Sequence, residues 1–272
     1  MTERSAIICA AINGARRTSA DHPALPVTPD GILREARACY KAGAAMLHLH
    51  VRDGDGRHSL DGGLYAEALA ALEELDMVIQ ITTEAAGRYA PEAQAECLAR
   101  LTPAQASVSV REIARDAAVA SRLYRDAAAA GTEIQHILYD DADLQQLTAW
   151  QAAGIVPSGR LNLLFVLGRY QPAELARAQD VPGRLRDRPA DSLWSVCAFG
   201  QSEAACAAMA FALGGHVRVG FENNLHLPDG RIAPDNAALV ANAAALAHAI
   251  GVRPATPAEA RAILSRNADQ EL

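Results

Sequence analysis

Short apolar runs rich in β-branched residues alternate along this chain with longer stretches whose apolar positions recur at helical spacing. The short runs predict strands at 5–12, 45–51, 77–83, 105–110, 133–139, 160–168, 193–199 and 216–222. The longer stretches predict helices near 30–43, 62–75, 91–101, 114–130, 142–153, 172–180, 202–214 and 236–250. Such alternation implies βαβ units and a parallel sheet. Eight units give the count of a TIM barrel, so the expected fold is α/β: one (β/α)8 domain over residues 1–272 with a short extra C-terminal helix. The sixth helix has the weakest pattern, and 180–188 read as an irregular connection.

The predicted helix ends carry their own signals. Thr28-Pro29 and Thr256-Pro257 each set a capping hydroxyl before a proline whose missing N–H costs nothing in the first turn. Glu259 completes a capping box with Thr256. Gly43, Gly131, Gly154 and Gly251 follow apolar helical runs, where a left-handed residue is wanted. A doubly wound open sheet is the alternative, but Asn13-Gly14-Ala15-Arg16 lacks the G-x-G-x-x-G of a dinucleotide site.

Composition narrows the class of partner. The net charge of −7 argues against nucleic acid and anionic membranes, both of which select basic patches. The apolar stretch 204–215 is too short for a membrane span, which needs about 20 residues. Five unspaced cysteines read as reduced thiols, and the first residues run directly into a strand without a secretion signal, so a cytoplasmic location is expected.

In a barrel, reactive groups gather where strands end. His48 and His50 close the second predicted strand in the run HLHVRDGDG and, two apart, share one face; Arg52 continues the parity. On the eighth, Arg218, Gly220 and Glu222 share a face, with Glu222 at the mouth. Strands two and eight both neighbour strand one, so the groups can converge. Two imidazoles and a carboxylate form a three-ligand divalent-metal site with a position left open, the catalytic pattern. Zinc suits these donors, as do Fe, Mn, Co and Ni. The plainer reading makes His48 and His50 hydrogen-bonded core residues and Glu222 a partner of Arg218; the shared rim favours the metal. Thr82 has the parity of Gln80 and Glu84, and Ser109 that of Ser107 and Arg111, offering polar groups for a carboxylate or carbonyl, or for nearby backbone. His58, His226 and His248 read as surface residues, and His136 and His216 as partly buried strand residues.

The chain resembles the β-keto acid cleavage enzyme family. The likeness is carried by AAINGARRTSADHPALPVTP, HLHVRDGDGRHSLD, VIQITTE, LLFVLG, GGHVRVGFENN and GVRPATPAEARAIL. It implies a TIM barrel binding one Zn²⁺ through His48, His50 and Glu222. The implied reaction is an exchange in which a β-keto acid and the co-substrate acetyl-CoA give acetoacetate and a CoA ester. By the same resemblance Arg218 supports developing negative charge, Thr82 contacts the substrate carboxylate, Ser109 lines the pocket, and the chain assembles as a homotetramer.

Three positions depart from the family pattern. Arg16 stands where aminohexanoate-cleaving members have a glutamate, and Ile137 where a second acidic residue faces the substrate amine; a substrate without an amino group, with an acidic or neutral tail, is therefore expected. Asn223 stands where many members have the aspartate base, which leaves Glu84 or Asp140 to take the proton. Two other readings share the barrel. A metal-dependent hydrolase of the amidohydrolase kind would carry His-x-His on strand one and a histidine on strand six, which this chain lacks; a non-catalytic metabolite-binding barrel would explain the altered Arg16 and Asn223.

Overall fold

A computed structural model describes residues 4–170 and 173–265. Eight parallel strands close into a barrel: β1 (Ile8–Ala11), β2 (Met46–Leu49), β3 (Val78–Thr82), β4 (Gln105–Ser109), β5 (Glu133–Leu138), β6 (Asn162–Leu167), β7 (Leu193–Ala198) and β8 (His216–Val219). Each strand pairs with its sequence neighbour, and β8 closes the ring on β1 through Val217↔Ile8, Arg218↔Cys9 and Val219↔Ala10. This parallel closed barrel is the fold the alternation predicts, and parallel strands buried on both faces explain why their sequences are continuously apolar.

Helices wrap the ring: α1 (Pro29–Lys41), α2 (Gly62–Leu72), α3 (Pro91–Leu101), α4 (Ala117–Ala130), α5 (Asp141–Ala152), α6 (Val181–Arg184), α7 (Glu203–Ala212), α8 (Asn236–Ala249) and α9 (Pro257–Leu264). Thr28 accepts from Gly31 N at the start of α1, and Thr256 and Glu259 form the reciprocal box opening α9. Gly43, Gly131, Gly154 and Gly251 all take positive φ where helices stop. The extra C-terminal helix has a packing role. Ala260 and Leu264 of α9 cluster with Ile7, Cys9, Met46 and Val78, closing the end of the barrel opposite the site. No helix among the described residues is long and apolar enough to cross a membrane.

Four local expectations need correction. The eighth strand ends at Val219, and residues 221–223 form a turn. The second ends at Leu49; beyond His50, a separate short strand, Val51–Arg52, pairs antiparallel with His58–Ser59. The sixth helix lies later than 172–180, with a 3-10 turn at Ala178–Asp180 leading into α6, so part of 180–188 is helical; residues 171–172 lie outside the described residues. A one-turn helix, Val110–Ile113, precedes α4. The two strands stop where the chain leaves the barrel wall, although the residues beyond them had suggested one unbroken element.

Replacing Thr256 with alanine removes the hydroxyl that caps α9 and is expected to lower stability by about 1 kcal/mol. Urea unfolding of the two proteins compared at constant m-value checks it.

Candidate metal centre and its cleft

The register places His48 on β2 beside Ala11 of β1 and Gln80 of β3. His50 lies one residue past β2, and Glu222 reaches the same point from the turn after β8. Nε2 of His48 and Nε2 of His50 are 3.1 Å apart. Oε2 of Glu222 lies 3.5 Å from the first and 3.4 Å from the second. All three side chains are buried.

Glu222 is on no strand, so its position needs a different cause from the parity the sequence suggests. The turn docks on the end of β1, with Glu222 N donating to Ala11 O at 3.0 Å. Gly220 permits that approach: its φ is +136°, and a Cβ there would stand 2.4 Å from Ala11 O. Two buried side chains hold the turn. Glu203 accepts from Gly220 N and Asn224 Nδ2, both at 3.1 Å, and Asn236 Oδ1 accepts from Phe221 N at 2.8 Å. Burial pushes the Glu203 carboxyl up to about 8, opposed by those two donors. From the other side, Arg52 donates through Nη2 to Gly14 O at 2.6 Å and to Arg17 O at 2.9 Å. Arg52 therefore ties down the loop after β1 instead of facing the mouth.

Charge in the trio is fixed by its neighbours. Burial disfavours a charged Glu222, but the Arg218 guanidinium beside it outweighs that cost and holds the carboxyl well below the usual range. Arg218 Nη2 donates to Glu222 Oε1 at 2.9 Å. Burial and the nearby guanidinium push His48 down to about 3, which keeps that imidazole neutral and able to ligate. Among the described residues, Glu222 Oε2 has no hydrogen-bond donor. A buried carboxylate oxygen facing two imidazole nitrogens costs free energy unless a cation occupies the space between. Two nitrogens and an oxygen suit zinc and its neighbours, with room for further ligands.

A cleft of about 350 Å³ opens beside the trio and reaches it at Glu222. Arg16, Glu84, Ser109, Arg218, Glu222 and Asn223 all line it. Arg218 Nε and Nη1 and Ser109 Oγ are buried without partners among the described residues, so the cleft presents unused donors beside the metal position. Asn223 Oδ1 accepts weakly from Arg218 Nη2 at 3.4 Å. Glu84 lies 3.9 Å from His50 Nε2 and 3.8 Å from the half-exposed Arg16. Burial, with Glu222 and Glu112 adding to it, raises the Glu84 carboxyl above its ordinary value against the pull of His50 and Arg16. Thr82 is placed differently: it is fully buried, and its Oγ1 accepts from Glu84 N at 3.0 Å and Ser107 Oγ at 3.3 Å. Ile137 sits in an apolar cluster with Leu164, Val166 and Phe199, against which Tyr139 and Tyr170 pack.

Residue reading missed His58, assigned to the surface. It is buried, with Nδ1 3.4 Å from His50 Nδ1 and Nε2 2.7 Å from the carbonyl oxygen of Glu84. Its place in the turn sequence hid this, although its location on a short strand paired back onto Val51–Arg52 brings it under His50. His136 and His216 are buried on their strands, as expected, and His248 is exposed.

A closed parallel barrel with two histidines and a glutamate converging at its mouth, beside a cleft, is a TIM-barrel scaffold with a group of side chains able to hold a metal ion. A family model for the beta-keto acid cleavage enzyme matches residues 5–265, and the chain belongs to that family. It is 33% identical to a 3-keto-5-aminohexanoate cleavage enzyme of Fusobacterium nucleatum, over 95% of this chain and 97% of that protein. It is 29% identical to a 3-oxoadipate:acetyl-CoA acetyltransferase of Cupriavidus necator, over 95% and 94%. The solved ternary complex of ObcA with a C4-CoA adduct and oxalate has a TM-score of 0.67 at 18% identity, covering 89% of this chain and 67% of that one, a likeness of fold.

Gly14 (φ +64°) leaves space that Glu222 fills, since a Cβ there would stand 2.5 Å from Glu222 Cγ. Gly14→Ala is expected to displace the ligand and weaken zinc binding at least about tenfold, the scale of losing a ligand's support. Chelator competition on folded protein measures it.

Proposed function

We propose that this protein is a zinc-dependent β-keto acid cleavage enzyme that takes a β-keto acid and acetyl-CoA to acetoacetate and the CoA ester of the remaining acyl chain. The observation that carries the reading is the unpartnered Glu222 Oε2 facing two imidazole nitrogens at the side of the cleft, near the unused donors of Arg218. Family membership and relatives named for acetyl-CoA-dependent transfers support the same chemistry.

The exchange breaks the bond between the β-carbonyl carbon and the α-carbon and leaves the acetyl group of acetyl-CoA on the two-carbon carboxylate fragment. His48, His50 and Glu222 would hold the metal. When bound, a divalent cation polarises the substrate's keto oxygen and offsets negative charge developing on it. Arg218, kept protonated by Glu222 against the cost of burial, presents Nε and Nη1 to that same charge. The α-proton needs an acceptor, and the amide of Asn223 cannot serve as one. Glu84 takes the role: it lines the cleft beside His50, and burial raises its proton affinity towards the working range. Ser109 Oγ offers a hydrogen bond to the bound acid. Thr82 acts on the substrate through Glu84, whose backbone N–H its hydroxyl accepts.

The tail of the substrate carries no amine. Arg16 lines the cleft as a cation, and Ile137 contributes to an apolar wall with Val166 and Phe199. An acidic or neutral tail suits these surroundings better than an ammonium group.

Consumption of a panel of β-keto acids is expected only when acetyl-CoA is present, with acetoacetate formed in equal amount. Release of product without acetyl-CoA points instead to a hydrolase, and no turnover of any acid points to a binding barrel. A β-keto diacid is expected to exceed 3-keto-5-aminohexanoate in kcat/KM, and Arg16→Glu to move that ratio toward the amine by about tenfold, or ~1.4 kcal/mol; preference of the wild type for the amine contradicts the assignment. Glu84→Gln is expected to lower kcat by about 10²–10⁴-fold, read from steady-state rates.

A further inference from the structure

The two imidazoles of the metal centre can present Nε2 only if their protons sit on Nδ1, and the structure contains a device for each that decides where the proton goes. For His50 the device is His58. His58 Nε2 lies 2.7 Å from the carbonyl oxygen of Glu84. A carbonyl oxygen only accepts, so Nε2 of His58 carries the hydrogen and donates it. The neutral His58 ring then has its lone pair on Nδ1. That atom faces Nδ1 of His50 at 3.4 Å, so the hydrogen between them belongs to His50. The remaining lone pair of His50 is on Nε2, which points at His48 and Glu222.

His58 is also held from outside the site, through its backbone carbonyl and the edge of its ring. Arg88 Nη1 donates to the His58 carbonyl at 2.6 Å, Tyr89 OH donates to the same oxygen at 3.4 Å, and the Tyr89 ring packs edge-on against the imidazole. For His48 the device is a chain of amides across the barrel interior. Gln135 Nε2 donates to Asn162 Oδ1 at 3.2 Å, which leaves Gln135 Oε1 to accept from Gln80 Nε2, also at 3.2 Å. Gln80 Oε1 is thereby turned to His48 Nδ1 at 2.8 Å and takes its hydrogen. The His58 chain starts from a backbone carbonyl that can only accept, and the amide chain runs the same way from Asn162 Oδ1. Their combined result is three lone-pair atoms, two nitrogens and Glu222 Oε2, within 3.5 Å of one another and with no hydrogen between them.

We propose that His58 is a positioning residue for the metal centre: between the Glu84 carbonyl and His50 it holds His50 in the tautomer that ligates through Nε2, as Gln80 does for His48. The assignment rests on the trio being a metal site, as in the function proposed above, but not on which acid is cleaved. Outer partners of this kind fix ring orientation and ligand basicity.

The test uses the full chain labelled with ¹⁵N-histidine, as purified and after chelation. Long-range ¹H–¹⁵N spectra are expected to show hydrogen on Nδ1 of His48 and His50 and on Nε2 of His58. Hydrogen on His50 Nε2, or on His58 Nδ1, overturns the proposal. Zinc affinity supplies a second readout. His58→Phe is expected to weaken binding about 10- to 100-fold. His58→Asn, whose Oδ1 stands where Nδ1 stood and can still accept from His50, is expected to recover most of that loss. Equal affinity of His58→Phe and wild type, or equal losses in both variants, overturns it. A protein that turned over no β-keto acid but showed these tautomers would remove the proposed reaction and leave the assignment of His58 intact.

Discussion

Barrel closure is the constraint on which the rest depends. His48 and His50 lie some 170 residues before Glu222 in the chain, and they meet only because β8 pairs with β1 and β1 with β2. The closure is anchored at the point where chemistry needs it. Ala11, the last residue of β1, has His48 as its register partner and accepts the backbone N–H of Glu222. One residue of backbone thus sets the distance between the two halves of the site.

Within that frame the trio is an energetic liability in isolation. A buried carboxylate with an unused oxygen stands against two buried imidazoles in a medium that screens poorly. Arg218 stabilises one oxygen of Glu222 and leaves the other facing the imidazoles. Surrounding groups hold this unfavourable arrangement in place: Glu203 and Asn236 under the 220–224 turn, Arg52 on the loop after β1, and His58 and Gln80 behind the two rings. Rigid packing around an uncompensated cluster is how a protein keeps a cation site ready, because the stability lost there is regained when the ion binds.

The fold was legible in the sequence because its signal is periodic. Eight apolar runs with helices between them admit few parallel topologies, and the caps at Thr28 and Thr256 read directly as helix starts. The convergence of His48, His50 and Glu222 was legible for a partly different reason. His48 and His50 stand out by spacing, whereas Glu222 was placed at the mouth by a strand parity that the chain does not use; Gly220 and its backbone contact with Ala11 bring it there instead. His58 was hidden because a histidine in a Gly- and Asp-rich turn carries no local sign of burial; its role comes from a two-residue strand folding back under His50. The Gln80–Gln135–Asn162 chain was equally hidden, since contacts across a barrel interior follow the layering of strands and not sequence spacing.

X-ray absorption at the zinc edge of the purified, zinc-loaded protein tests the central claim most directly. The account predicts one zinc per chain with imidazole scattering from two histidines and only nitrogen and oxygen in its first shell, at about 2.0–2.2 Å. Sulfur scatterers at about 2.3 Å, or an ion without an imidazole signature, would show that His48, His50 and Glu222 do not hold the metal.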